Sequence, residues 1–335
     1  MTEKPGGHGG LIRANESKVG VSDSDLMIDV SRQAEAVQER IRDVVRARSA
    51  KGVVLGLSGG IDSSVVAALA VRALGTEAVR TYYLYDCDSS KESRSRARMV
   101  ADRLGIELKC VDITGALAKE GVYSPLIIRV TGLSGFVNRF LGGRLNRLLW
   151  REPFFVTTLR RSDIGGGKIR RFVYERTVAR VEAAFNARHR YRRQFLEARA
   201  DENNCVLAGA ANRSEYMVGW FVQGGIDDVA FSPIIHLYKT QVVQLGEYLG
   251  LPEEVVRQPA SPDMMKGLTD ESAMAVRYET IDRVLAGLEC GMSEQEILSA
   301  GVSEKELSLV RTMNKLSAWK RQCKQDCCSV VTNGG

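Results

Sequence analysis

A chain of 335 residues, 44% hydrophobic and 26% charged, has the balance of a globular protein and the length for one large domain or two small ones. No apolar run reaches membrane-spanning length, and the opening stretch MTEKPGGHGGLIRANESK lacks the apolar centre of a secretory signal. The formal net charge of +6 fits a phosphate-bearing ligand without naming one.

Residues 1–22 read as a flexible Gly-rich arm. From Asp23 to Ala50, Val30, Val37, Ile41 and Val44 recur at helical spacing between charged residues, predicting an amphipathic helix. The run Gly52 to Leu57 is rich in β-formers and too short for a helix, so it predicts a strand, ended by Ser58-Gly59-Gly60. Asp62 to Leu74 reads as a helix stopped by Gly75, Val79 to Tyr85 as a strand, Ser90 to Leu104 as a helix stopped by Gly105, and Ile106 to Ile113 as a third strand. This alternation predicts an α/β fold: a doubly wound parallel sheet of Rossmann-like type, covered on both faces, with a helical C-terminal part.

The alternation stops at about residue 115, and no clean period is visible as far as 176. Between Arg129 and Arg193 there are 16 Lys or Arg against 4 Asp or Glu, which marks a basic insert at about 115–176. It reads as a lid over an anionic substrate, a docking surface, a membrane-surface segment, or a dimer interface with a solvated basic face. Further helices are expected over Thr177 to Ala200, Asn212 to Phe221, Tyr238 to Leu249, Glu271 to Leu288, Ser293 to Ala300 and Ser303 to Trp319, with a short strand at Cys205 to Leu207. The seven cysteines have no regular spacing, which argues for a reducing, cytoplasmic setting rather than a disulfide framework. Cys323, Cys327 and Cys328 lie in a tail, 323–335, read as flexible. With no His or second cysteine pair beside them, surface cysteines are favoured over a metal site.

The chemistry is carried by Gly56-Leu57-Ser58-Gly59-Gly60-Ile61-Asp62-Ser63-Ser64. Adjacent glycines between a strand and a helix let backbone N–H groups converge, and the helix start adds unpaired N–H groups and its positive dipole end. Together with the hydroxyls of Ser58, Ser63 and Ser64 this makes a cradle for pyrophosphate. A Walker A loop is excluded because no Gly-Lys-Ser/Thr follows at the required spacing. A carboxylate inside an anion cradle repels phosphate unless a cation bridges them, so Asp62 predicts Mg²⁺; the plainer alternative is an N-cap on a tight turn.

SGGIDSS resembles the PP-loop of the adenine nucleotide alpha-hydrolase enzymes, which split ATP into an adenylated substrate and pyrophosphate. Gly209-Ala-Ala-Asn212-Arg-Ser-Glu215-Tyr-Met-Val-Gly219 resembles a segment of the ammonia-dependent NAD synthetase family. That resemblance makes Glu215 a second metal ligand beside Asp62. By the same likeness, Pro233 to Val242 supplies Lys239 as an ATP contact, and Pro259 to Glu271 supplies Ser261. Asn186, Arg190, Arg192 and Lys320 become contacts for the second substrate. The catalytic set it implies is Asp62, Ser63 and Lys239. ATP, ammonia from solution or a separate glutaminase, and an anionic acid such as deamido-NAD are the implied substrates, in a homodimer. Nucleic acid and membrane are not expected partners, although the basic insert keeps them open.

The family's substrate loop carries a Lys and a Gly-Asp where this chain has Gln223-Gly-Gly-Ile226-Asp227-Asp228, so that Lys and Asp are read as lost. Trp319 replaces a His, Tyr85 to Ser90 replaces a short Met/Leu-Pro segment, and the insert is longer than the family's. Rival readings therefore stand: a PP-loop ligase for another acid, a sulfur-transfer enzyme using Cys87, Cys205 or the C-terminal cysteines, or a binding module without turnover.

Overall fold

The computed structural model describes residues 26–131, 146–161, 167–261 and 267–321. The expected arm at 1–22 and the cysteine tail at 323–335 lie outside them. Four parallel strands, β1 (Val53–Gly56), β2 (Val79–Tyr85), β3 (Leu108–Asp112) and β4 (Val206–Leu207), form a sheet in the order β3-β2-β1-β4. Successive side chains of β1 alternate between faces. Val53 and Leu55 pack with α1 (Val30–Ala47), α2 (Ile61–Leu74) and α3 (Lys91–Leu104), whereas Val54 faces Leu196 and Ala200 on the opposite side. Each pairing needs a crossover helix, and burial on both faces explains why β1 is uniformly apolar.

α1 follows its amphipathic pattern, burying Ala34, Val37, Ile41 and Val45, with Asp29 capping its start by accepting from Arg32 N. α2 has no polar face to speak of because it is enclosed: Val65, Val66 and Leu69 are fully buried between the sheet and an outer layer. The order, parallel sense and two-sided cover match the expected fold class.

The stretch expected to lack regular structure departs from that expectation. It contains α4 (Thr114–Lys119), α5 (Leu126–Thr131), α6 (Asn146–Trp150), α7 (Phe154–Arg160) and α8 (Lys168–Arg176). These helices are too short to display a helical period in sequence. The long α9 (Val178–Asn203) then covers the second face of the sheet and runs past Ala200 to Asn203, where left-handed Asn204 caps it. The remaining helices are α10 (Arg213–Val218), α11 (Lys239–Tyr248), α12 (Glu253–Val256), α13 (Asp270–Met274), α14 (Tyr278–Glu289), α15 (Glu294–Ser299), α16 (Glu304–Leu316) and α17 (Ala318–Arg321).

Two boundaries need correction. The single helix expected over Glu271 to Leu288 is two, broken where Ala275 turns left-handed at φ 59, and Tyr278 N donates to Glu271 Oε1 at 2.9 Å across the break. The helix expected to reach Phe221 stops at Val218, because Gly219 is left-handed and its N–H caps the turn. A second core joins the C-terminal helices, with Ile281, Val284, Val310 and Met313 packed against Phe155, Val156 and Leu159 of α7.

Candidate active site

In the strand order β3-β2-β1-β4 the chain progresses from β1 to β2 and β3 on one side and returns to β4 on the other. The carboxyl ends of β1 and β4 therefore flank the switch point, the position where open parallel sheets bind ligands. A cavity of about 390 Å³ opens there, within the usual range for small-molecule sites.

The turn after β1 forms its floor. Gly59 has φ +80, and a Cβ on it would lie 2.4 Å from Ser93 O, so no side chain fits. Ser58 N donates to Ser63 Oγ at 3.2 Å, Gly60 N donates to Ser58 Oγ at 3.2 Å, and the two hydroxyls are 3.0 Å apart. The serines thus brace the turn in addition to facing the cavity. Gly56, Leu57, Ser58, Gly60, Ile61, Asp62 and Ser63 line it; Gly59 packs instead against α3, and the Ser64 hydroxyl turns back to Gly60 O at 2.7 Å. These two residues of the expected cradle shape the turn without facing the cavity.

Beside the turn lies a buried charge cluster. Lys239, the first residue of α11, donates from Nζ to Asp62 Oδ2, and to Glu215 Oε1 at 3.3 Å. Asn212 organises both carboxylates. Its Oδ1 accepts from Glu215 N at 2.9 Å, capping α10, while its Nδ2 donates to Asp62 Oδ1 at 2.8 Å. Asp282, fully buried, accepts from Ser214 Oγ and from Thr240 N at 2.8 Å, and Ser214 Oγ accepts from Lys239 N at 2.8 Å. The starts of α10 and α11 are thereby locked to α14.

A third carboxylate, Asp270, completes the cluster. Its Oδ2 accepts from Tyr278 OH at 2.9 Å, whereas its buried Oδ1 makes no close hydrogen bond among the described residues, with only the Trp220 side chain near enough to lower the carboxyl. Burial pushes Asp270 up to about 6 against the opposing pull of Lys239. Burial likewise raises Glu215 well above the usual carboxylate range; Lys239 opposes the rise, and Asp62 and Asp270 add to it. Burial works against the Lys239 charge, yet Asp62, Glu215 and Asp270 outweigh it and hold the ammonium protonated. Burial penalises the charged forms of Glu215 and Asp270, and a hard divalent cation held beside them and Asp62 would relieve that penalty.

Another group of ligand atoms within 4.8 Å of one another belongs to Asp86, Cys87 and Asp88. Here the charge is already met: Arg188 lies 2.5 Å from Asp88 Oδ2 and 3.6 Å from Asp86 Oδ2, and Arg192 lies 3.3 Å from Asp86 Oδ2. This is the segment Tyr85 to Ser90 that departs from the family pattern, and it serves to fasten α9 to the end of β2.

The far half of the cavity is lined by Asn186, Arg192 and Lys320, as expected for a second substrate, but not by Arg190. Arg190 is exposed and donates to Gln223 O at 3.4 Å, because its place on α9 lies beyond the cavity-facing stripe of Glu182, Phe185, Asn186 and His189. Lys320 donates from Nζ to Gly219 O and Phe221 O, each at 2.8 Å, and burial lowers it to about 8. Ser261 lines the cavity and donates to Leu268 O at 3.0 Å. The acid read as lost from the substrate loop has a substitute, since Asp227 lines the cavity with its Oδ2 3.2 Å from His189 Nδ1.

Sequence reasoning passed over Asp270, Asp282 and Glu182. Asp270 could have been singled out, being an acid at a helix start inside a motif already matched. Asp282 stands in the stretch Tyr278 to Gly287, which resembles a helix pattern of the family, but that likeness assigned it no part, and Glu182 of α9 carried no local signal.

Fold and site define the class: an enzyme-like adenine nucleotide alpha-hydrolase fold with a glycine turn and a carboxylate–lysine cluster at the switch point. Within that class the chain belongs to the NAD synthase family, whose profile matches residues 33–122 and 170–324. It is 34% identical over 298 residues to the NH(3)-dependent NAD(+) synthetase of Coprothermobacter proteolyticus, covering 85% of this chain and 95% of that one. It is 34% identical to the enzyme of the same name from Thermotoga maritima, covering 76% and 86%. Among solved structures, the fold resembles an NMN synthetase from Francisella tularensis (TM-score 0.62, 23% identity, 88% and 97% covered). It also resembles an NH3-dependent NAD synthetase from Campylobacter jejuni (TM-score 0.59, 22% identity, 88% and 96% covered).

Proposed function

We propose that the protein is an ATP-dependent ligase that joins ammonia to the pyridine carboxylate of deamido-NAD, giving NAD, AMP and pyrophosphate. The observation that carries this reading is the buried cluster of Asp62, Glu215, Asp270 and Lys239 beside the glycine turn. The turn and the first turn of α2 present N–H groups to the β,γ end of ATP, with Ser58, Ser63 and Ser261 as hydroxyl contacts. Lys239 acts as a fixed positive charge toward the pyrophosphate leaving group, since its carboxylate neighbours keep it protonated. Asp62 and Glu215, with the buried Oδ1 of Asp270, would hold Mg²⁺. Bound there with ATP, the ion supplies charge neutralisation of the phosphates. Asn186, Arg192 and Lys320 orient the acid so that its carboxylate oxygen attacks the α-phosphorus in line, and ammonia then displaces AMP from the acyl group. No side-chain nucleophile is required. Ammonia comes from solution or from a separate glutaminase, and the protein works as a cytoplasmic homodimer.

A second reading is a ligase for another acid, favoured by the segment Gln223 to Asp228 standing where the family's substrate loop carries a Lys and a Gly-Asp. Sulfur transfer through Cys87 or Cys205 is disfavoured: neither lines the cavity, and burial pushes both thiols up, away from the thiolate, while Cys323, Cys327 and Cys328 lie outside the described residues. The test is incubation with ATP, Mg²⁺, ammonium and a panel of acids that includes deamido-NAD, with AMP measured for each. Amide and AMP formed in equal amounts from deamido-NAD support the first reading. AMP formed only with another acid replaces it by the second.

A further inference from the structure

The profile of the family leaves residues 123–169 between its two matched segments. α7 lies inside that gap, and the structure gives it a place: Phe154, Phe155 and Thr158 line the same cavity as the glycine turn. We infer that α7 is the acceptor-side wall of the site and that Phe154 is a specificity-determining residue, presenting an aromatic face to a planar ring on the acid substrate. The inference rests on the proposed ligase function and deepens it.

The wall is built as a rigid element. On the side away from the cavity, Val156 and Leu159 are buried in the C-terminal core. Arg160 grips Glu152 through Nε at 2.8 Å and through a terminal nitrogen at 2.6 Å. Asn146 Nδ2 donates to Thr157 Oγ1 at 3.1 Å and to Glu152 O at 3.0 Å, tying α6 to α7. An element with both flanks fixed and its apolar side in a core cannot swing out as a flap; it sets the shape of the space it borders.

Its chemistry matches the neighbouring lining. α9 supplies Phe185 to the same cavity, and the loop after α10 supplies Trp220, whose ring meets Phe155 edge-on at 4.7 Å between centroids. Phe155 and the Trp220 contact are structural; Phe154 is only partly buried and keeps a face for a ligand. The polar end of this region carries Glu182, whose buried carboxyl is raised by burial and drawn back by Lys320 and Arg161. Arg161 follows α7 directly and stacks over Trp319 at 4.6 Å. Lys320 faces Asp228 as well as Glu182, so these cations are already met by acids, and the aromatic face is what the wall offers a ligand. A flat ring bearing an acid is the ligand class that uses it.

The experiment compares wild type with Phe154→Ala and Phe154→Tyr in the full chain. It uses ATP, Mg²⁺, ammonium and, as acceptor, deamido-NAD or whichever acid of the panel wild type turns over. Phe154→Ala is expected to raise KM for the acid about tenfold, the value of one lost ring face. KM for ATP should stay within twofold, and Phe154→Tyr should restore the acid KM to within twofold of wild type. The melting temperature of each variant is recorded, because a merely structural role would lower it and disturb both substrates alike. An acid KM within twofold of wild type in Phe154→Ala overturns the inference, as does an equal change in both KM values. Failure of wild type with deamido-NAD overturns the proposed substrate instead, and the wall is then judged on the acid that does react.

Discussion

Asn212 ties the Asp62 carboxylate to the backbone at the start of the helix that carries Glu215, so its removal can be worked through in numbers. Replacing it by Ala deletes the cap on Glu215 N, 2.9 Å away, and the bond to Asp62 Oδ1 at 2.8 Å. Loss of the cap costs about 1 kcal/mol. Loss of a hydrogen bond to an ionised group costs about 1.5–3 kcal/mol more. Asn212 is fully buried, so water does not replace it. Asn212→Ala is therefore expected to lower unfolding free energy by roughly 2–4 kcal/mol in urea titrations. Pyrophosphate–ATP exchange in the presence of the acid should slow by about 30-fold or more, because Asp62 is no longer held. Asn212→Asp separates the two roles. Its oxygen still caps α10, and an acid is favourable at a helix start, but it sets a carboxylate against Asp62 in place of a donor. Its helix cap should survive while exchange is lost. Wild-type exchange in Asn212→Asp, or a change under 1 kcal/mol and under threefold in Asn212→Ala, would show that this asparagine does not position Asp62.

Gly59→Ala should fail where Gly60→Ala succeeds. A Cβ at 59 sits at φ +80 and 2.4 Å from Ser93 O, costing about 2–4 kcal/mol in denaturant, whereas one at 60 comes no nearer than 3.3 Å to a movable Ser58 hydroxyl. Lys239→Met leaves Asp62 and Glu215 without their counter-charge, an expected loss of about 3–5 kcal/mol that saturating Mg²⁺ should partly restore, read as a melting-temperature gain on adding the ion. For Asp270 the folded form binds a proton up to about pH 6, whereas the unfolded form releases it near the ordinary aspartate value of 3.8. The unfolded chain binds fewer protons between those values, so stability falls as pH rises through that window. Asp270→Asn should therefore raise stability above pH 6 by roughly 2–3 kcal/mol in metal-free buffer while weakening the Mg²⁺ dependence of AMP formation. Equal pH profiles for wild type and variant would contradict this.

What could be read in the sequence divides along range of interaction. The parallel sheet was legible because each strand and helix carries its own period and stop: Val53 to Leu57 is apolar throughout, and Gly75 and Gly105 end their helices. The glycine turn was legible because its chemistry is contiguous. Glu215 and Lys239 entered through motifs, and the structure brings both to Asp62 from 153 and 177 residues away in sequence, as 215 − 62 and 239 − 62 give. Asp270 falls within the matched stretch Pro259 to Glu271 yet has no part assigned to it there; an acid at a helix start has a sufficient local explanation in the dipole. Only its burial separates the two explanations. Arg190 failed in the opposite way. Spacing placed it with Asn186 and Arg192, but membership in a pattern does not fix which side of a helix meets the cavity.

The insert shows most plainly why composition misleads about position. Its excess of arginine invited readings in which positive charge faces outward to phosphate or membrane. Two of those arginines are consumed locally: Arg160 on Glu152 and Arg171 on Glu175. What the segment gives the site is instead apolar, the face of α7, held in place by the charged residues around it. A segment whose rings face a substrate cavity acts on selectivity through shape. Changes in salt should therefore leave the acid KM of Phe154→Ala and wild type separated by the same ratio, while removal of the ring alone alters it.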